Sequence, residues 1–161
     1  MKWGIYYPND LYFSEAYQVL TLSARDLLHC LMCEVNIRTV PSRTRMDSHI
    51  YPNNGDISLS QAQFISYFGC VKDTYSKSKN QLIETGCIKM IYQGGMGAGD
   101  MTKYKILTLQ YIPIAHQRWR EYPKKNWEHE IPKPKKQLVG VETQWKKGQS
   151  GRKKPKATLS K

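Results

Sequence analysis

Asp56-Ile57-Ser58-Leu59-Ser60-Gln61-Ala62-Gln63-Phe64-Ile65-Ser66-Tyr67-Phe68-Gly69-Cys70-Val71-Lys72-Asp73-Thr74-Tyr75-Ser76-Lys77-Ser78-Lys79-Asn80-Gln81-Leu82-Ile83-Glu84-Thr85-Gly86-Cys87-Ile88 carries the local signals that decide the fold. Ser60 and Gln63 stand at capping-box spacing, so each can satisfy a free backbone N–H of the other at a helix start. Phe64, Ile65 and Phe68 recur three to four residues apart and give one apolar helical face. Gly69 can take the left-handed conformation that ends a helix. Asp73 or Thr74 can cap a second helix, expected over 71–85. Tyr75, Ser78 and Leu82 share a face of that helix, and Gly86 stops it. Ile88, Met90 and Tyr92 then alternate with Lys89, Ile91 and Gln93, as a half-buried strand does. Residues 94–100 are glycine-rich turn chemistry, and Tyr104, Ile106 and Thr108 alternate on the return. The stretch therefore predicts helix, tight turn, helix and β-hairpin.

Outward from this stretch the signals weaken. Ala24, Leu27, Leu28, Leu31 and Val35 form a helical stripe, which predicts a helix over 24–38 capped by Ser23. Residues 1–22 read as an irregular arm, with room for one helical turn around Ser14–Val19, and rich in aromatics: Trp3, Tyr6, Tyr7, Tyr12, Phe13 and Tyr17. These can pack on the core or stack on single-stranded bases; packing is the better reading, because interleaved cations are missing. Residues 39–56 read as one long connection, whose Arg43 and Arg45 can touch phosphates. Asp56-Ile57-Ser58 is expected to pair with the later hairpin as a short strand. Residues 111–120 can hold a short helix docked by Trp119. From Pro123 onward no helical or strand period survives, so 122–161 reads as a largely disordered or extended arm with Trp127 and Trp145 as anchors.

Helix, turn, helix and hairpin in this order make a helix-turn-helix with a wing. Thr74, Leu82, Gly86 and Ile88 match the recognition helix and wing entry of bacterial winged-helix proteins. Ser14-Glu15-Ala16-Tyr17-Gln18-Val19-Leu20-Thr21 and Ser23-Ala24-Arg25-Asp26-Leu27-Leu28 are similar to the lead-in of their phage- and plasmid-type members. The chain thus resembles phage- and plasmid-type winged helix-turn-helix DNA-binding proteins, replication-initiator-like or regulator-like. The resemblance implies an α+β fold. Its expected parts are an aromatic N-terminal arm (1–22), a winged helix-turn-helix domain of three helices and a β-hairpin wing (23–110), a short connecting segment (111–121) and a basic flexible tail (122–161).

Charge separates these parts. The net charge of +12 is not evenly spread: residues 1–117 hold 11 Lys+Arg against 9 Asp+Glu, and residues 118–161 hold 14 against 4. The globular part is nearly neutral and the tail carries the field, which attracts polyanions without reading sequence. Nucleic acid fits best, because the tail lacks the apolar face that a membrane surface requires. No apolar run is long enough to cross a bilayer and no secretory signal is evident, so a cytoplasmic protein is expected.

Enzymatic chemistry is not expected. His29, His49, His116 and His129 are scattered, Glu128-His129-Glu130 lacks zinc-protease spacing, and the loop at 94–100 lacks the Lys-Ser/Thr ending of a phosphate loop. Cys30, Cys33, Cys70 and Cys87 admit a four-thiolate zinc site or four reduced thiols. The second is preferred, since Cys30 and Cys33 fall within a predicted helix. Neither a metal nor a cofactor is expected.

The expected partner is double-stranded DNA, with a homodimer and a replication or transcription protein as further expected partners. The second helix of a helix-turn-helix enters the major groove. Its exposed residues here are Lys72, Asp73, Ser76, Lys77 and Asn80; Lys suits guanine acceptors and Asn pairs with adenine. Lys79 is expected to face phosphate or the wing. Lys103 and Lys105 suit backbone phosphates, as do Arg43, Arg45 and, in the tail, Lys146, Lys147, Arg152, Lys153 and Lys154. The competing expectation is a protein-binding module whose tail alone meets nucleic acid or an acidic partner.

Overall fold

Apolar side chains from both halves of the chain close over one helix, and the remaining elements are arranged around it. The computed structural model describes residues 7–41, 48–95, 97 and 99–133. Within them, α1 (Asn9–Tyr12), α2 (Glu15–Gln18) and α3 (Leu22–Cys33) precede β1 (Arg38–Val40) and β2 (Ser48–Ile50). Next come α4 (Gln61–Phe68), α5 (Lys72–Glu84), β3 (Ile88–Tyr92) and β4 (Lys103–Ile106). Three 3-10 turns follow, at Ile114–His116, Arg118–Glu121 and Glu128–Glu130. The fold is mixed α+β, and its two antiparallel hairpins, β1–β2 and β3–β4, are separate sheets.

The central stretch forms as its local chemistry dictates. The Ser60 hydroxyl accepts from the Gln63 N–H at 3.1 Å, and the Gln63 side chain accepts from the Ser60 N–H at 2.9 Å. Gly69 ends α4 at φ +61°. Phe64 is buried, but Phe68 is half exposed, so the apolar face of α4 is narrower than the spacing suggests. The end of α5 is a Schellman motif: Gly86 N–H bonds the Ile83 carbonyl and Cys87 N–H the Leu82 carbonyl, each at 3.0 Å. Gly86 has φ +75° there, and a Cβ on it would stand 2.8 Å from both Arg118 Cβ and the Trp127 ring. Only glycine meets both demands.

The start of α5 corrects the expected cap. Neither Asp73 nor Thr74 takes that place: extended Val71 does, with no side-chain cap bond. Asp73 instead lies in the first turn, where its charge faces the positive end of the helix dipole. The predicted helix over 24–38 is corrected at both ends. Thr21 caps α3 by accepting from the Ala24 N–H at 3.3 Å, which starts the helix earlier. Asn53 terminates it: its amide donates to the Glu34 carbonyl and accepts from the Asn36 N–H, both at 2.8 Å. β-branched Ile37, Thr39 and Val40 then favour an extended chain.

The long connection at 39–56 is corrected too. It contains a hairpin with Arg38 opposite Ile50, Thr39 opposite His49 and Val40 opposite Ser48. His49 packs against Tyr111, with the tilted rings 4.5 Å apart. Neighbouring Asn54 acts on β4 like a strand residue: it donates to the Ile106 carbonyl at 2.9 Å and accepts from the Ile106 N–H at 2.7 Å. Tyr104 N–H bonds the Ile57 carbonyl at 2.8 Å. The expected short strand at 56–58 is thus one bridge reinforced by a side chain.

Residues 7–22 pack on the core, as the preferred reading expects, with α2 at the expected helical turn; α1 is added and the stretch is less irregular than its composition suggests. Leu11, Ala16, Tyr17 and Leu20 are buried in the core, while Tyr12 and Phe13 stay exposed. At the other end, Trp119 is buried and donates to the Leu107 carbonyl at 3.2 Å. The expectation that 122–161 is a disordered or extended arm is corrected over its first part. Trp127 is buried, and its N–H bonds the Glu84 carbonyl at 3.1 Å. The Arg118 guanidinium lies over its ring at 5.5 Å and pairs with Glu130 at 2.8 Å. Trp127 therefore anchors to this protein's own surface, and the compact unit extends to Ile131. Trp145 lies outside the described residues.

All of this converges on α5. Tyr75, Ser78, Leu82 and Ile83 bury its inner face, with its most extensive packing against α3. Gln81 donates to the Val19 carbonyl at 3.0 Å and accepts from the Thr21 N–H at 3.0 Å and the Thr21 hydroxyl at 3.1 Å. Such bonds contribute about 1 kcal/mol each.

Gly86→Ala should lower unfolding stability by about 2–4 kcal/mol, combining the left-handed backbone cost with overpacking against Trp127; urea unfolding monitored by tryptophan fluorescence measures it. Alkaline pH should also destabilise the fold. Burial pushes the Cys87 thiol from 9.0 up to about 12. The unfolded chain therefore loses this proton first, and stability falls as pH rises above 9.0 toward 12. Cys87→Val should flatten the loss of stability measured between about pH 8 and about pH 9, where phenols of the unfolded chain are still mostly protonated.

Candidate nucleic-acid interface

With its inner face committed, α5 leaves one polar face to solvent. Lys72, Asp73 and Lys77 are exposed, and Ser76 and Asn80 are half exposed. Spacings of three and four residues put neighbours of this set on a common stripe. Asp73 and Lys77 form an ion pair at 2.7 Å. The hydrogen bond to Asp73, with its charge, raises the Lys77 pKa. Lys79 differs from the others: it is half buried, and the loss of hydration lowers its pKa. Its ammonium is less available to a phosphate than those of Lys72 and Lys77.

The turn between α4 and α5 is apolar and uncovered. Tyr67 is 62% exposed, Phe68 45% and Val71 68%. Gln61 of α4 donates to the Lys72 carbonyl at 2.9 Å and ties the start of α5 to its neighbour. Tyr75, through a bond of its hydroxyl to the Leu59 carbonyl at 2.8 Å, fixes the same end from inside. Burial raises the Tyr75 pKa, so it stays a neutral donor.

The β3–β4 hairpin carries its charge on one face. Ile88, Tyr104 and Ile106 point to the core. Lys89 and Lys105 occupy the other face and are direct cross-strand partners. Like charges so placed repel. Neither has an ion-pair partner among the described residues, whereas Lys103 is bonded to Asp56, which raises its pKa. The sequence reading included Lys103 and Lys105 but not Lys89. Its place opposite Lys105 depends on a register interrupted by an irregularity between Met90 and Tyr92, which spacing alone does not reveal. At the hairpin tip, Gly95 N–H bonds the Asp100 carbonyl at 3.0 Å and the Asp100 carboxylate at 3.1 Å.

Arg43, Arg45, Lys146, Lys147, Arg152, Lys153 and Lys154 lie outside the described residues. Two of the described histidines sit in separate surroundings: His29 stacks on Tyr7 at 6.2 Å, and His49 packs against Tyr111. The four cysteines are free thiols. Burial raises the pKa of Cys30 as well as Cys87, which lowers thiolate reactivity. Among the described residues, no group of three or more His, Cys, Asp or Glu side chains is placed to hold a metal ion. No described helix is long and apolar enough to cross a membrane.

No protein-family model, curated protein or solved structure matches this chain.

Replacing Lys105 by Gln should relieve the like-charge contact with Lys89. Stability at low salt should rise by about 0.3–1 kcal/mol, and the gain should vanish near 1 M salt, where screening is strong. Paired urea titrations at the two salt concentrations measure this; a loss of stability at low salt would contradict the repulsive contact.

Proposed function

We propose that this protein is a non-enzymatic, duplex-DNA-binding winged helix-turn-helix protein, acting as a regulator or replication-initiator-like factor. α5 reads base edges, the β3–β4 hairpin serves as the wing on the phosphate backbone, and the basic tail adds affinity for any sequence. The observation that carries this reading is the polar outer face of α5: Lys72, Asp73, Ser76, Lys77 and Asn80 emerge from a helix fixed along its opposite face. A rigid helix with exposed donors and acceptors is what direct readout in the major groove requires.

The near-neutral globular part needs additional cations to bind tightly. Lys89 and Lys105 supply two that intramolecular ion pairing does not consume among the described residues. Residues 134–161 hold 9 Lys+Arg against 1 Asp+Glu. Through counterion release each phosphate contact steepens the log–log salt slope by about 0.9.

A second reading rests on Tyr67, Phe68 and Val71. Their exposure beside the start of α5 suits a protein partner, with the tail alone meeting nucleic acid or an acidic partner.

Lys72→Glu with Lys77→Glu separates the two readings. Duplex readout predicts that affinity for a selected site falls by about 100-fold or more, each lysine contributing roughly 1–3 kcal/mol of discrimination. Under the protein-partner reading, binding survives this change. Removal of residues 134–161 should weaken all duplexes alike and flatten the salt slope by roughly 5–7 if about 6–8 of their cations meet phosphates. An unchanged slope removes the tail from the binding account.

A further inference from the structure

We propose that Asp73 and Lys77 together read a single C·G base pair, Asp73 accepting from cytosine N4 and Lys77 donating to guanine O6 and N7. The inference rests on the duplex-binding reading and adds a base preference to it. The starting observation is the ion pair itself: Asp73 and Lys77 are one helical turn apart, 2.7 Å between charged atoms, with side chains 68% and 78% exposed. An exposed pair of this kind adds little to stability. On a surface that meets a polyanion, Asp73 is a liability unless it meets a hydrogen-bond donor. Phosphates offer none; in the free protein Lys77 supplies the donor, and on a duplex a base edge can supply it and release Lys77 to a neighbouring acceptor.

Base edges in the major groove narrow the choice. A C·G pair presents the cytosine N4 donor beside the guanine O6 and N7 acceptors. The Asp73–Lys77 pair presents the complementary acceptor beside a donor. Docking would exchange the intrahelical bond for two bonds to one base pair and leave neither charge unpaired. An A·T pair offers a donor in N6, but its acceptors N7 and O4 are split across the two bases, and the thymine methyl crowds the lysine.

Asn80 extends the footprint. From position 73 to position 80 the helix advances about 10.5 Å, which is about three base-pair steps. Asn80 can thus address a second pair about three steps away, with adenine as its best partner. The simpler role for Asp73, an anion in the first turn of a helix whose cap Val71 makes no side-chain bond, is favourable to α5. That role selects no base.

Selection of bound sequences from a random duplex pool, run on the full chain and its Asp73→Asn and Lys77→Gln variants, tests the proposal, with circular dichroism checking that α5 is retained. Wild type should select a fixed C·G pair at one position. Asp73→Asn should shift that position toward A·T by about 10-fold and bind random duplex more tightly, while Lys77→Gln should relax it. An unchanged base preference in Asp73→Asn overturns the proposal and leaves Asp73 as a helix-end charge. Wild-type binding with no C·G position overturns it too, while leaving duplex binding intact. Absence of any duplex binding overturns both this inference and the function on which it rests.

Discussion

Burial of the inner face of α5 is the constraint on which the rest of the structure depends. Tyr75, Ser78, Leu82 and Ile83 are enclosed, Gln81 is clamped to Val19 and Thr21, and Trp127 closes over Gly86. These contacts come from the N-terminal helices, the preceding loop and the C-terminal 3-10 turns. Segments distant in sequence therefore serve one task, which is to hold a single helix with its polar side outward. Loss of packing at one end would propagate along α5, because interiors tolerate misfit poorly.

The electrostatics complement this geometry. In the proposed function, a helix that carries Lys72 and Lys77 against Asp73 is too weakly charged to draw in a polyanion and is left to discriminate once brought close. Affinity in the proposed function comes from elsewhere: Lys89 and Lys105 on the hairpin, which have no ion-pair partner among the described residues, and the basic residues beyond the compact unit. Under that proposal, separating discrimination from attraction leaves room for an acidic residue on the outer face of α5, with Asp73 tuning selectivity while other groups supply the attraction.

The central elements were legible because their signals are local. Ser60 with Gln63, Gly69 and Gly86 fix helix ends within a few residues, and the structure places all three as expected. What escaped the sequence depends on distant partners. Asn53 and Asn54 lie in the stretch that reads as one long connection, yet their amides end α3 and extend the sheet edge at Ile106. The β1–β2 hairpin was hidden because its strands have only three residues each. Trp127 reads as an anchor to this protein's own surface or to a partner's; the packing against the glycine at the end of α5 decides for its own. In the candidate interface, the exposed set on α5 follows from helical spacing. The partial burial of Lys79 and the pairing of Lys89 with Lys105 required the tertiary packing and the strand register.

The central claim is that α5 and the β3–β4 hairpin, rather than the tail alone, contact duplex DNA. Backbone amide shifts of the full-length protein, followed by NMR during titration with a short duplex, test it most directly. The account predicts changes concentrated at 72–80 and around Lys89, Lys103 and Lys105, with the β1–β2 hairpin and the 3-10 turns near Trp127 little affected. Binding accompanied by changes confined to residues beyond 133 would contradict it.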